Sequence, residues 1–141
     1  MIKDSIQAPS SIIMIRPHNF TINDETAIDN AFQSKEIIQG EYSQKAYQEI
    51  SKASEILSNL GITVHMFEDK GFKTPDSIFP NNWLSTHSNG SVVIYPMKPI
   101  SRRLERRWDI IEMLQSKYNV GEIVDYSKFE SSNLFLEGTG S

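Results

Sequence analysis

Two adjacent asparagines stand between Phe79 and Trp83, where a strand interior would normally carry β-branched or aromatic residues. An asparagine side chain has both N–H donors and a carbonyl acceptor. Asn81 and Asn82 could therefore bind the edge of a planar amide or urea. The alternative is a turn held by asparagine hydrogen bonds, which is the commoner arrangement for these residues alone.

An arginine-rich run, RRLERR, covers residues 102–107 at the start of a predicted helix. Positive charges in the first turn oppose the helix dipole, and Arg102 and Arg106 form a like-charge pair one turn apart. A site for a carboxylate or phosphate would explain the run, because a guanidinium offers two parallel donors. The alternative is a solvated helix face on which Glu105 and Asp109 relieve the repulsion.

Glu137 follows the apolar run NLFL and precedes Gly138-Thr139-Gly140. A carboxylate at the end of an apolar strand can be presented at the edge of a sheet. Burial there would raise its pKa and suit it to proton transfer. The alternative is the ordinary Glu-Gly turn in which many strands end.

The composition excludes several classes of protein. The 141 residues carry a formal net charge of −4, which is a poor basis for general nucleic-acid binding, and their seven Phe, five Tyr and two Trp argue for a folded core. No cysteine is present, so a disulfide, a thiolate metal site and a cysteine nucleophile are excluded within these residues. The three histidines are too scattered for a metal cluster, and no cofactor is expected. Without a signal peptide or an apolar run of about 20 residues, we expect a cytoplasmic protein that binds no membrane.

The first half of the chain reads as strand, helix, strand, which is the pattern of an α/β unit. Residues 11–16 form an apolar run stopped by Pro17, and a short helix can begin at Asn23 or Asp24. Apolar residues recur every three or four positions over 43–60, and Gly61 stands where a C-terminal cap belongs. Residues 62–69 follow as a strand.

The second half repeats that order in a looser form, with a hairpin before the helix. A strand is predicted to begin irregularly at Pro80, and Asn89-Gly90 predicts a two-residue hairpin turn before the strand at 91–97. Ser101 can cap a helix, and two more strands are predicted at 120–127 and 133–141. The predicted inner face of that helix consists of Leu104, Trp108, Ile111, Leu114 and Tyr118.

Five motifs, MIRPHNF, PDSIFPNNWLSTH, YPM, RRLERR and FLEGTGS, resemble in family order the arginine-deiminase-related branch of the guanidine-modifying (pentein) superfamily. The most similar type is the citrulline-utilisation hydrolase, often called simply amidinotransferase. The motifs run from about residue 11 to the last residue. The chain stops directly after its last apolar run, which suggests a fragment of a longer protein.

The resemblance implies an α/β propeller, a fan of ββαβ modules, with residues 1–141 as the N-terminal part of one catalytic domain and about its first two modules. It also implies a cysteine-dependent hydrolase acting on C–N bonds of amidino or ureido amino acids such as citrulline or arginine. The cysteine and histidine of such an enzyme cannot be located in this chain, so we expect the chain alone to be inactive. The alternatives are an amidinotransferase of the same fold and a non-catalytic α/β binding module.

The resemblance also assigns site residues. Glu137 matches the acid of the family's Leu-Glu-Gly motif and is the catalytic candidate; Phe79 matches the aromatic beside the planar group. Asn82 stands where many relatives place an aspartate, and Asn81 replaces an acidic or arginine neighbour. Arg102 or Arg103 matches the arginine that binds the substrate's α-carboxylate.

The asparagine at position 82 favours a neutral, citrulline-like substrate, because an amide loses the charge pairing that a carboxylate gives a guanidinium. The Gly-Thr-Gly ending also departs from the Glu-Gly-Gly-Asp version of several relatives. The expected partners are a small-molecule amino acid and other copies of the chain, through exposed module edges.

Overall fold

The computed structural model describes residues 8–27 and 39–138, which form two small sheets. In the first sheet, Ser11–Pro17 (β1) pairs in parallel with Thr63–Asp69 (β2). Between them lie a short helix, Asp24–Ala27 (α1), and a long one, Gln39–Asn59 (α2), which packs on both strands. The predicted strand–helix–strand unit is therefore confirmed. So is the short helix, because the Asn23 side chain accepts a hydrogen bond from the Glu25 amide at 3.1 Å.

Helix α2 ends as its sequence predicts. The amide of Gly61 donates to the carbonyl of Ser58 at 3.0 Å, and the amide of Ile62 donates to the carbonyl of Leu57 at 3.0 Å. These two bonds are the Schellman motif, which needs a left-handed residue between them. Gly61 supplies it with a φ of 86°.

The second sheet has the order β3–β4–β5. Leu84–Thr86 (β3) and Ser91–Ile94 (β4) are antiparallel, and Glu122–Asp125 (β5) is parallel to β4. Ile100–Arg103 (α3) and Trp108–Lys117 (α4) connect the last two strands. This half thus has the order strand, strand, helical connection, strand.

The hairpin at Asn89-Gly90 is confirmed, but its turn is longer than predicted. The His87 amide donates to the carbonyl of Ser91 at 2.9 Å, and the Gly90 amide donates to the carbonyl of His87 at 3.0 Å. Three residues therefore lie between the last paired residues. Gly90 has a φ of 87°, which allows the turn to close with a bulge.

One buried core joins the two halves. Ile15 from β1 packs with side chains of the second sheet and of α4, and their interdigitation holds the two sheets together. Its buried members are Ile15, Trp83, Leu84, Val92, Ile94, Met97, Ile110, Ile111 and Leu114.

The single helix predicted after Ser101 is wrong, because the chain leaves helical geometry between α3 and α4. The break changes which residues face inward. Leu104 and Trp108, predicted for the inner face, are 58% and 63% exposed, and Tyr118 is 40% exposed. Ile110 joins Ile111 and Leu114 in the core, and Glu105 is buried instead of Leu104.

Two predicted strand segments also differ. Residues Pro80–Asn82 form a short 3₁₀ helix, so β3 begins only at Leu84. The described part of the last segment, residues 133–138, is not in a strand. It follows the 3₁₀ helix Ser127–Ser132, which ends at Asn133 with a φ of 56°. Single hydrogen bonds attach it to the second half, such as that from the Leu136 backbone N–H to the Pro96 carbonyl at 3.2 Å. Within the two described ranges, no helix is long and apolar enough to cross a bilayer.

The carboxyl ends of β1 and β2 carry a charged cluster. The Arg16 Nε lies 3.1 Å from both carboxylate oxygens of Glu68, and the His18 Nε2 lies 2.7 Å from Glu68 Oε2. The Arg16 guanidinium also lies over the Tyr47 ring, 4.9 Å from its centroid. Hydrogen bonds from Arg16 and then His18 lower the pKa of Glu68 to about 2.

We predict that Glu68→Gln lowers the free energy of unfolding by roughly 0.5–1 kcal/mol near neutral pH, a modest loss because the pair is partly exposed. The pKa of Glu68 is lower in the folded chain than its usual 4.5, so the stabilisation is present above pH 4.5 and is lost as the pH falls towards 2. Urea unfolding across this range measures the loss. Glu49→Gln is the control, because Glu49 is 68% exposed and lies 3.9 Å from Lys45. Equal acid dependence of wild type and Glu68→Gln would contradict the prediction.

Large apolar side chains are exposed on several segments, and the association of copies stays a prediction. Their exposed fractions are 74% for Leu60, 81% for Phe72, 68% for Ile100, 58% for Leu104, 63% for Trp108, 58% for Leu134 and 59% for Leu136. Apolar surface of this kind favours contacts with other molecules.

Sedimentation velocity of the chain should therefore show a dimer or a larger assembly whose fraction rises with concentration. Replacing Leu104 and Trp108 by serine should weaken the association, because both side chains are mostly exposed. Replacing the exposed Lys52 and Glu55 by serine is the matched control. A monomer at every concentration would show that the exposed side chains do not drive association.

Candidate functional site

A buried guanidinium, that of Arg102, lies at the centre of the candidate site. Arg102 is 6% exposed and Glu105 is 1% exposed. The Arg102 Nε lies 3.2 and 3.3 Å from the two carboxylate oxygens of Glu105, and its Nη2 donates to Oε2 at 3.2 Å. Their spacing of three residues places the two side chains together where α3 ends.

The same guanidinium contacts two of the predicted site residues. Its Nη2 donates to the Asn82 Oδ1 at 2.8 Å, and its Nη1 lies 3.7 Å from Glu137 Oε2. The Arg102 Nε is also 3.8 Å from Asp76 Oδ2. One cation is thus surrounded by three acidic side chains and an amide drawn from separate parts of the sequence.

Asp76 connects this cluster to the first half of the chain. It is 7% exposed, and Asn23, 3% exposed, donates from Nδ2 to its Oδ2 at 2.7 Å. Thr26 Oγ1 donates to the same oxygen at 3.3 Å, and Asn23 Nδ2 also lies 3.2 Å from Ser101 Oγ. The start of α1 is therefore tied to the start of α3.

The 3₁₀ helix places Asn82 beside the 137–138 segment. The backbone N–H of Asn82 donates to the backbone carbonyl of Phe79 at 3.1 Å. The backbone N–H of Gly138 donates to the backbone carbonyl of Asn82 at 2.7 Å. A Cβ on Gly138 would lie 2.6 Å from the Asn81 carbonyl oxygen and 2.9 Å from the Tyr95 ring. Glycine is needed here because the two backbones approach so closely.

Phe79 and Asn81 lie at the surface of the site. Phe79 is 44% exposed, and Asn81 is exposed and forms part of the wall of a cavity of about 460 Å³. Ile13, His65 and Ser85 also line this cavity, so it lies between the two sheets. Asn81 thus lines the cavity, while its neighbour in the sequence, Asn82, contacts Arg102.

Arg103 lies apart from the cluster. Its Nε donates to the Met97 carbonyl at 2.9 Å, its Nη2 donates to the Lys98 carbonyl at 3.2 Å, and its guanidinium is 5.6 Å from the Phe135 ring centroid. The Arg103 side chain is 29% exposed. The structure thus joins Asn82, Arg102 and Glu137 and leaves Arg103 at the edge.

The sequence analysis missed two members of the cluster, Asp76 and Glu105. Flanking arginines give Glu105 the sequence of a solvated helix face, although its spacing of three residues from Arg102 predicts a contact. Asp76 lies three residues before Phe79, in a loop sequence where an acidic residue is ordinary. Neither position has a local pattern that reveals burial.

Burial is the largest influence on Glu105 and raises its pKa to about 7. Arg102 opposes this shift, while the charges of Asp76 and Glu137 add to it. The cluster can therefore gain or lose a proton near neutral pH. Among residues 8–27 and 39–138, no three His, Cys, Asp or Glu side chains converge in a way that could hold a metal ion.

Comparisons with known proteins agree on one group. The profile of a family described as N,N dimethylarginine dimethylhydrolase, eukaryotic, matches residues 16–141. The chain is also similar to a solved dimethylarginine dimethylaminohydrolase, a histidine-to-glycine variant in an adduct with S-methyl-L-thiocitrulline. That likeness has 18% identity and a TM-score of 0.62, and it covers 91% of this chain and 44% of the other. At this identity it establishes a shared fold, and no curated protein sequence matches.

The buried acid predicts a pH dependence of stability. Since the pKa of Glu105 is about 7 in the folded chain and 4.5 in the unfolded chain, the unfolded chain releases this proton first as the pH rises. The contribution of Glu105 to the free energy of unfolding is complete below pH 4.5 and falls as the pH rises towards 7. We predict that the free energy of unfolding of the wild type declines by on the order of 2 kcal/mol over this pH range, and that Glu105→Gln does not show this decline.

Urea unfolding of wild type and Glu105→Gln between pH 4.5 and 7 measures this decline. Glu68→Gln is the control, since the pKa of Glu68 is shifted to about 2 and its effect lies at lower pH. Parallel stability curves for wild type and Glu105→Gln would show that Glu105 does not titrate in this range.

Proposed function

Because the chain belongs to the N,N dimethylarginine dimethylhydrolase family, within the pentein superfamily, we propose that it is part of an enzyme that hydrolyses a C–N bond of an amidino or ureido amino acid. One observation of the structure carries the proposal. Asn82 and Glu137 come from distant motifs and both contact one planar guanidinium, that of Arg102, so their surroundings suit a planar C–N group.

In this proposal, β1–α2–β2 and β3–β4–α4–β5 are two neighbouring modules of the pentein fan. The chain spans 44% of the length of the solved structure that it matches, which supports the proposal that it is part of a longer enzyme. The nucleophilic cysteine and the histidine lie outside these 141 residues, which contain no cysteine. The cysteine thiolate attacks the central carbon, the amine or ammonia leaves, and water hydrolyses the covalent intermediate.

The site residues of this chain bind and orient the substrate. Phe79, 44% exposed, lies beside the planar group, while Asn81 and Asn82 hydrogen-bond its edge. The Glu137 carboxylate accepts hydrogen bonds from substrate nitrogens and supports the histidine. Of the two arginines predicted for the substrate's α-carboxylate, Arg103 is the better candidate, because its side chain is 29% exposed whereas that of Arg102 is 7% exposed.

The substrate is a small amino acid with a ureido or amidino group. The family description names dimethylarginine, whose guanidinium is cationic, whereas the neutral amide of Asn82 favours a citrulline-like compound. Transfer of the amidino group to an amine instead of water is the competing reaction. Binding without catalysis is the competing class, and a cytoplasmic location stays a prediction.

We predict that Asn82→Asp in the full-length protein shifts kcat/KM away from citrulline and towards arginine. The new carboxylate meets a neutral group in citrulline, whereas it forms a charge-assisted pair with a guanidinium. Such a bond is worth roughly 1.5–3 kcal/mol, or about one to two decades in specificity. Ammonia release from each compound measures the ratio, and Glu137→Gln should lower the release from both.

The 141-residue chain alone is the negative control and should release no ammonia above buffer from arginine, citrulline or agmatine. Robust release by this chain would mean that the chemistry lies within it. An unchanged substrate ratio in Asn82→Asp would make Asn82 a turn residue with no part in recognition.

A further inference from the structure

Three side chains of the β3–β4 hairpin form a chain of hydrogen bonds that the proposed function does not use. The Ser85 Oγ lies 2.9 Å from the His87 Nε2 and 2.9 Å from the Tyr95 hydroxyl oxygen. The His87 backbone N–H still bonds to the Ser91 carbonyl at 2.9 Å, so the extended backbone of β3 continues through His87. Ser85 and His87 are two residues apart, and their side chains therefore share one face of the strand.

The directions of these two hydrogen bonds follow from the number of hydrogens. The Ser85 hydroxyl has one hydrogen, so it can donate to only one of its two partners. The His87 Nε2 accepts when the imidazole hydrogen is on Nδ1, and the Tyr95 hydroxyl can donate. In this arrangement Tyr95 donates to Ser85 and Ser85 donates to His87. A serine that donates to an imidazole within about 2.6–3.2 Å has the geometry of a nucleophile beside its general base.

Ser85 and His87 both border a space that can hold a ligand. They line the cavity of about 460 Å³ between the two sheets, whose volume is typical of small-molecule sites. Among the described residues that line it, none is Asp, Glu, Lys or Arg, so the cavity suits an uncharged, largely apolar molecule. Its apolar walls include Ile12, Ile13, Leu84, Val92 and Leu114.

We propose that Ser85 is a nucleophile activated by His87, and that this cavity is a second site, which hydrolyses small uncharged carboxylic esters. The Ser85 Oγ attacks the ester carbonyl carbon while its hydrogen passes to the His87 Nε2. The bond to the alcohol oxygen breaks, and the alcohol leaves with the proton from His87. Water then attacks the acyl-serine, its proton passes through His87 to the Ser85 Oγ, and the carboxylic acid is released.

A fluorophosphonate probe and p-nitrophenyl butyrate test this site in the full-length protein. The wild type should hydrolyse the ester, and mass spectrometry of peptides should place the phosphonyl group on Ser85. Ser85→Ala should abolish this labelling. Ser85→Ala and His87→Gln should each lower the rate of ester hydrolysis by roughly a hundredfold, which lies within the range of general base catalysis. Tyr95→Phe removes only the donor to Ser85 and should lower the rate by less.

Two variants in the same cavity are matched controls. Ser91→Ala removes a further serine that lines the cavity. His65→Gln removes the second histidine that lines it, whose Nε2 lies 2.6 Å from the Tyr118 hydroxyl oxygen. Both variants should keep the labelling of Ser85 and the rate of ester hydrolysis close to those of the wild type, because neither alters the pair formed by Ser85 and His87.

The outcome does not depend on the proposed C–N hydrolysis, because the ester has no amidino or ureido group and yields no ammonia. Ester hydrolysis at Ser85 without release of ammonia from arginine or citrulline would overturn the proposed function alone. The inference is overturned if the probe does not label Ser85, or if Ser85→Ala or His87→Gln hydrolyses the ester as fast as the wild type.

Discussion

One buried cation holds the candidate site together. Arg102 is 6% exposed and contacts Glu105, Asn82, Asp76 and Glu137, so the segments carrying these residues depend on a common charge. A buried ion pair gives little net stability, but removing one partner leaves the other charge uncompensated and costs about 3–5 kcal/mol. The arrangement therefore specifies where the segments lie more than how stable the chain is. Glu105 is buried directly after α3, at the point where the chain leaves helical geometry.

Much of the fold could be predicted from local patterns. The apolar run before Pro17, the repeat of apolar residues in α2 and the glycine at its end each act over a few residues, so the first unit was predicted correctly. The errors lie where tertiary contacts decide. Leu104 and Trp108 continue a helical repeat in the sequence, but the break at residues 104–107 turns them outward. Residues 133–138 have the composition of a strand and no strand partner.

The candidate site was predictable in part because its residues occur in motifs whose order matches a family. Asn82, Arg102 and Glu137 were named from those motifs, and the structure brings them together. Glu105 and Asp76 escaped prediction because burial of a charge is a property of the assembled fold. A glutamate among arginines has the sequence of a solvated helix face, yet here it is 1% exposed. Only the packing of α3 against the Asn82 and Glu137 segments distinguishes the two cases.

The close approach at Gly138 bears on how this chain can drift over evolutionary time. Any side chain there would press on the carbonyl of Asn81 at 2.6 Å, so the position can change only if the 3₁₀ helix moves with it. Gly121 has nothing within 4 Å of its Cβ direction and can diverge alone. Divergence at Gly138 is therefore coupled to the geometry of the site itself, whereas divergence at Gly121 leaves it untouched.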